Sequence, residues 1–162
     1  MYTIIGLGNP GEEYAETRHN TGKMALEAIE KKGVKAKFIH QDTFMNKSGV
    51  AVAKLVKSKK AASKLVVIYD DLDLPIGTMR VSWNRGSGGH KGLESVIRAV
   101  KTKEFIRIRI GIGKKSDIKK HILGKFTPKE KEELKKVFKK VVSAAELIVS
   151  EGYESAMTEF NK

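Results

Sequence analysis

"YTIIGLGNPGEEY", Tyr2 to Tyr14, decides the fold, because two readings of it lead to different proteins. Gly6, Gly8 and Gly11 fit G-x-G-x-x-G, the dinucleotide-binding spacing, directly after an apolar run that reads as a strand over residues 2–8. A working fingerprint puts its third glycine in the first turn of a helix packed on that strand. Here Pro10 precedes Gly11, and "EEYAETRHN" supplies no apolar face. The first apolar helix, "TGKMALEAIEKK" over residues 21–32, begins about ten residues later, too late to aim its N-terminus at a pyrophosphate. The acid that should end a second strand about 20 residues on is missing too, since Glu27 and Glu30 fall within helical spacing. The dinucleotide reading loses. Asn9 then stands just past a strand's carboxyl end, where open α/β sheets place their ligands, and Pro10-Gly11 forms a tight turn that aims it. An asparagine chosen only for the turn is the plainer alternative, and this loop alone leaves both open.

Elsewhere strands and helices alternate. A short strand is predicted near Val34–His40 and a helix from Asn46, a good N-cap type, through Val56. "KLVVIYDD", Lys64 to Asp71, is apolar on both faces, as a central strand covered on both sides must be. Thr78–Asn84 alternates, with Met79, Val81 and Trp83 opposite Arg80, Ser82 and Asn84. "GSGGHKG" leads into a helix near Leu93–Val100, and in "FIRIRIGIG" the isoleucines share one face while Arg107 and Arg109 share the other. "TPKE" reads as a capping box, with Thr127 as N-cap, Pro128 first in the helix and Glu130 at N3, before a helical stripe that Gly152 ends. This order predicts an α/β three-layer sandwich, a mixed twisted sheet flanked by helices, as one domain over residues 1–162.

Composition narrows the chemistry. The chain has no cysteine, which excludes disulfides, thiolate metal sites and thiol nucleophiles and suits a reducing compartment. Neither a leader segment nor a membrane-spanning run is visible, so a cytoplasmic, membrane-free protein is expected. Lys plus Arg total 32 against 19 Asp plus Glu, a net charge of +13 that points to a polyanionic partner, most often nucleic acid. Eleven lysines against four acids crowd Lys114 to Lys140, without aromatic interleaving, which suits phosphate-backbone contact rather than base reading.

Besides Asn9, three polar clusters lie at strand ends or loop tips: "TRHNTG" with His19, "TFMNKSG" with Asn46 and "YDDLDLP" with Asp70. Each alone has a structural reading, since Asn20 or Thr21 and Asn46 are plausible caps and Asp70–Asp73 a plausible turn. Together they supply a base, an acid and two amide donors, the set needed for ester hydrolysis by water. Rival chemistries fit less well: there is no G-x-S-x-G elbow, and Ser116-x-x-Lys119 is a lone match. His40, His90 and His121 lack metal-ligand spacing, and "DDLD" lacks calcium-loop spacing, so no metal is expected.

The blocks "GLGNPGEEYAETRHNTG", "TFMNKSG", "YDDLDLPIG", "GSGGHKGL" and "FIRIRIGIG", in this order, resemble the bacterial-type peptidyl-tRNA hydrolases. The resemblance implies a metal- and cofactor-free, monomeric enzyme. It would cleave the ester between a stalled peptide and the 3′-terminal ribose of tRNA, with the tRNA acceptor arm as partner. By matching position, His19 would be the general base, Asp70 its orienting partner and Asn9 and Asn46 holders of the peptide end and oxyanion. Tyr14 and Met45 would shape the cleft, and Arg109 would bind the tRNA's terminal 5′-phosphate. The chain departs from the family pattern at Lys91, where "GGHNGL" is usual and this sequence has "GGHKGL". Lysine donates hydrogen bonds but cannot accept one, and its charge suits a phosphate near the 3′ end. The clamp's usual lysine falls at Ser82, with Arg80 on the same strand face as its substitute. The segment between the first helix and "TFMN" and the C-terminus are both shorter than usual in the family. The alternative function is a non-catalytic RNA-binding protein on the same fold, with Lys91 as its main support.

Overall fold

The computed structural model describes Met1–Lys162. Five strands form one sheet: β1 (Thr3–Gly6), β2 (Lys37–Ile39), β3 (Leu65–Asp71), β4 (Met79–Trp83) and β5 (Ile106–Gly111), in the spatial order β2-β1-β3-β5-β4. All neighbours are parallel except β4, which runs antiparallel to β5. The helices are α1 (Thr21–Lys32), α2 (Ser48–Ala53), α3 (Lys59–Ala62), α4 (Lys91–Val100), α5 (Ile118–Leu123), α6 (Pro128–Glu151) and α7 (Tyr153–Phe160).

Alternation along the strands builds the two cores. In β3, Val66 and Ile68 join Ile4, Ile106, Ile108 and Ile110 under α1 and α6. On the other face Leu65, Val67 and Tyr69 join Ile5, Leu7 and Phe105 under α2 and α4. Both faces are thus covered, as the uniformly apolar "KLVVIYDD" required. The mixed three-layer α/β sandwich is the predicted one.

The opening glycines have a packing purpose. A Cβ on Gly6 would stand 2.0 Å from the Gly22 carbonyl oxygen, and one on Gly22 would stand 2.2 Å from that of Ile68. Two bare glycines let α1 lie against the sheet at backbone distance, while Gly11, at φ +96°, makes the turn.

The capping box of α6 forms as read: Thr127 Oγ1 accepts from the Glu130 N–H at 3.2 Å and Glu130 Oε1 from the Thr127 N–H at 2.9 Å. Two boundaries differ. Only Lys37–Ile39 of the predicted Val34–His40 strand pairs, because β2 is an edge strand bonded to β1 alone. Asn46 caps nothing: Met45–Lys47 is a 3₁₀ turn and α2 starts at Ser48.

At the opposite edge, β4 has no strand beyond it. The Asn161 amide fills that place, donating to the Val81 carbonyl at 2.8 Å and accepting the Val81 N–H at 2.8 Å. Trp83 stacks on Tyr153 at 4.5 Å and fixes α7 alongside.

Candidate active site

The cleft opens at the carboxyl ends of the parallel strands, the usual ligand position in an open α/β sheet. Asp70, at the end of β3, is almost fully buried. A 3₁₀ turn, Arg18–Asn20, brings His19 to it, and the loop after β4 brings His90. His19 Nδ1 lies 2.7 Å from Asp70 Oδ2, and His90 Nε2 lies 2.9 Å from Asp70 Oδ1.

These contacts fix both tautomers. His90 Nδ1 accepts the Leu93 N–H at 3.2 Å as the N-cap of α4, so its proton sits on Nε2 and is donated to Asp70. Asp70 can only accept, so His19 donates from Nδ1 and its Nε2 keeps a free lone pair. Burial alone would push the Asp70 carboxyl up. The charges and hydrogen bonds of His90 and His19 outweigh it and hold Asp70 well below the usual carboxylate range. His19 and His90 rings lie 5.0 Å apart, and Tyr69 packs edge-on to His90 at 5.1 Å.

Asn9 lies three residues beyond the end of β1 and is buried. Its side-chain oxygen accepts the Met45 N–H at 2.7 Å, which leaves its Nδ2 amide without a protein acceptor. Asn20 clasps the Asn9 backbone from both sides: Oδ1 accepts the Asn9 N–H and Nδ2 donates to the Asn9 carbonyl, each at 2.9 Å. Gln41 Nε2 donates to the Gly8 carbonyl at 3.0 Å and to Ser48 Oγ at 3.1 Å, which ties the "TFMNKSG" loop to the end of β1. Met45 is buried against Gly92, and Tyr14 meets Phe44 edge-on at 6.2 Å across the two loops. Asn46 is exposed and bonded to none of these groups.

The cavity beside His19, Asp70 and His90 has a volume of about 280 Å³. Arg85, Lys91 and Lys114 stand on its rim, and Ile118 and Ile122 form part of its wall. Lys91 is exposed, 4.0 Å from the Glu94 carboxylate. Arg109 is buried and already engaged: Nε donates to Asp71 Oδ2 at 2.8 Å and Nη1 to Ser82 Oγ at 3.2 Å. Serine at position 82 thus accepts from the arginine instead of adding a second cation. Arg80 Nη1 donates to the Asn161 carbonyl at 2.6 Å. Arg107 is fully buried and tethers the cleft loop by donating to the Arg85 carbonyl; burial lowers its pKa to about 10.

The ligand atoms of His19, Asp70 and His90 lie within 4.8 Å of one another, so this cluster has the donor types for a divalent ion. Here the ring nitrogens facing the carboxylate carry protons, and the arrangement is a hydrogen-bonded chain. Sequence reading passed over two members of the site. His90 shows no metal-ligand spacing, but its place at the mouth of a helix, after two glycines, marks a cap. Asn20 was read as a cap, yet its side chain goes to Asn9.

The family model for peptidyl-tRNA hydrolase matches residues 3–38 and 29–162. A peptidyl-tRNA hydrolase of Carboxydothermus hydrogenoformans is 39% identical over 185 residues, covering 100% of this chain and 99% of the relative. One from Thermodesulfovibrio yellowstonii is 37% identical, with 100% of both covered. The crystal structure of the Acinetobacter baumannii peptidyl-tRNA hydrolase superposes with a TM-score of 0.91 at 30% identity, over 99% of this chain and 94% of that one. With these relatives, the fold and its histidine–carboxylate cleft define an α/β ester hydrolase. The chain belongs to the peptidyl-tRNA hydrolase family.

Proposed function

We propose that this chain hydrolyses the ester between peptide and tRNA in peptidyl-tRNA, freeing the tRNA for reuse, with His19 as general base. One observation carries the mechanism: Asp70 holds His19 by Nδ1 and leaves Nε2 unprotonated at the cleft. His19 Nε2 takes a proton from water as its oxygen bonds to the ester carbonyl carbon. Asp70 steadies the imidazolium that forms, and His90 on its second oxygen keeps the carboxylate aimed. The free Nδ2 amide of Asn9 donates to the developing oxyanion, a contact worth about 2.7–4 kcal/mol in comparable sites. When the intermediate collapses, the C–O bond to the ribose breaks and the 3′-oxygen takes the proton back from His19. The products are a free peptide acid and tRNA. No step requires a metal ion.

Tyr14, Met45 and Asn46 are assigned to the peptide side, Lys91 to a phosphate near the 3′ end, and Arg109 with Arg80 to the 5′-phosphate. The free capacity of the two arginine guanidinium groups, and the rim cations Arg85 and Lys114, support a phosphate-rich substrate. The family match in two overlapping pieces supports a shortened segment between α1 and the "TFMN" loop. We place the enzyme in the cytoplasm, where peptidyl-tRNA arises, as a monomer. The test is release of N-acetyl amino acid from N-acetyl-aminoacyl-tRNA with EDTA present. The native chain should turn over and His19→Ala should lose at least a hundredfold; full activity in that variant would end the mechanism. RNA binding without any turnover would instead favour the RNA-binding reading, which the exposed cation at Lys91 supports.

A further inference from the structure

Arg107 is the most deeply buried charge in the molecule, and the hydrolytic steps above do not use it. On β5 it shares the α2/α4 face with Phe105 and Arg109, between Val67 of β3 and Ser82 of β4. No carboxylate pairs with it. Its guanidinium gathers three backbone carbonyls instead: Nη1 donates to that of Lys103, at 2.6 Å, and to that of Phe105, while Nη2 donates to that of Arg85. The guanidinium lies 3.8 Å from the centre of the Phe105 ring, and Nε is buried without a partner. Removing a charge from water without a counter-ion is costly, and an apolar side chain of similar volume often packs as well. The position therefore calls for a reason beyond packing.

The Arg85 carbonyl supplies it. The β4–β5 ladder ends at Trp83, and the chain then runs along the cleft from Arg85 to Gly89 before it reaches His90. Asn84, Gly88 and Gly89 have positive φ, and a Cβ on Gly86, Gly88 or Gly89 would meet nothing within 4 Å. Packing thus does little to hold this loop. At its far end, Ser87 Oγ at 3.4 Å from Glu94 and the His90 cap tie it to α4. At its near end the Asn84 N–H reaches the Phe105 carbonyl at 3.4 Å, and Arg107 bonds Arg85 directly. The ring that follows this segment is His90, whose Nε2 donates to Asp70 at 2.9 Å.

We propose that Arg107 is a positioning residue: by holding the Arg85 carbonyl it fixes the loop that carries His90, and so keeps the Asp70 carboxylate aimed at His19. The role rests on the hydrolase reading above. It calls for arginine in particular. Two amino groups on a planar fork reach carbonyls on two different loops at once, whereas lysine brings a single ammonium to one of them.

The experiment is a double-mutant cycle of Arg107→Met and His90→Ala, read in kcat for N-acetyl-aminoacyl-tRNA. Arg107→Met should lower kcat by about tenfold to a hundredfold, as a misplaced catalytic group does, and leave KM within about twofold of native. In the His90→Ala background the same substitution should change kcat by less than about twofold, because the group that it positions is gone. An equal factor in both backgrounds, as a purely structural loss gives, would overturn the proposal. So would a loss confined to KM, which would assign Arg107 to the rim cation Arg85 instead. If Arg107→Met does not fold, Arg107→Lys takes its place in the cycle, with a smaller fall in kcat and the same dependence on His90. Amide exchange at Gly86, Gly88 and Gly89, measured in parallel, needs no turnover and should quicken when Arg107 is replaced. Unchanged exchange would overturn the anchor even in an active enzyme. Faster exchange in a chain that hydrolyses nothing would keep the anchor and overturn the hydrolase reading.

Discussion

Asp70→Asn separates the geometry of this site from its charge. The carboxylate accepts two N–H donors, one per oxygen, whereas an amide offers one acceptor and one donor. If the amide NH₂ faces His19, that ring must accept at Nδ1, which moves its proton to Nε2 and removes the base. If the oxygen faces His19, the NH₂ confronts His90, whose proton must move to Nδ1. The Leu93 N–H then loses its cap, at a cost of about 1 kcal/mol. The inactive orientation is therefore favoured, and about one molecule in six keeps the correct tautomer, by the cap energy alone. That fraction also lacks the charge that steadies the imidazolium, worth about 4 kcal/mol at 4 Å and an effective dielectric of 20. Together these predict a fall of about 10³–10⁴ in the hydrolytic rate. The assay is single-turnover hydrolysis of N-acetyl-aminoacyl-tRNA, with tRNA binding checked in parallel. Adding His90→Ala to Asp70→Asn frees the amide to turn its oxygen to His19, so the double variant should be a few-fold faster than Asp70→Asn. His90→Ala alone should be slower than the native chain. A rate for Asp70→Asn within tenfold of native, or a double variant slower than the single, would refute this tautomer argument.

Stability and salt dependence offer three further tests. Because the folded Asp70 titrates below its ordinary 3.8, its stabilising contribution is complete above that pH and is lost as pH falls toward the folded value; the stability gap between the native chain and Asp70→Asn, read as melting temperature against pH, should therefore narrow only below about pH 4. Gly6→Ala should destabilise by about 3 kcal/mol or fail to fold, because its Cβ meets the Gly22 carbonyl rather than a movable side chain; urea denaturation of the purified variant measures this. Lys91→Asn should change stability by less than about 0.5 kcal/mol, since Lys91 is exposed, and show its effect instead as a shallower salt dependence of kcat/KM for tRNA substrates.

Much of this molecule was legible in local patterns. Double-sided apolarity placed β3 in the centre, and Thr127, Pro128 and Glu130 announced α6, because strand burial and capping depend on neighbours in sequence. The approach of α1 to β1 was hidden: Gly6 and Gly22 look alike whether they make room for a pyrophosphate or a helix backbone. The carboxylate–histidine pairing was read from residue types, but His90 was missed, since its link to Asp70 spans 20 residues and closes only when β4 and β5 are in place. The resemblance gives Arg109 a phosphate to bind, but its bond to Asp71 was hidden, because that partner lies on another strand, 38 positions away.

The Asn161 amide at the rim of β4 has a consequence for assembly. A strand edge that shows its backbone groups is a template for other strands, including those of a second copy. The guard on this edge sits 80 positions from Val81 and reaches it only when α7 has docked through Trp83 and Tyr153. Without α7 docked, the Val81 N–H and carbonyl on this edge have no partner. α7 therefore closes an edge of the sheet as well as packing on it.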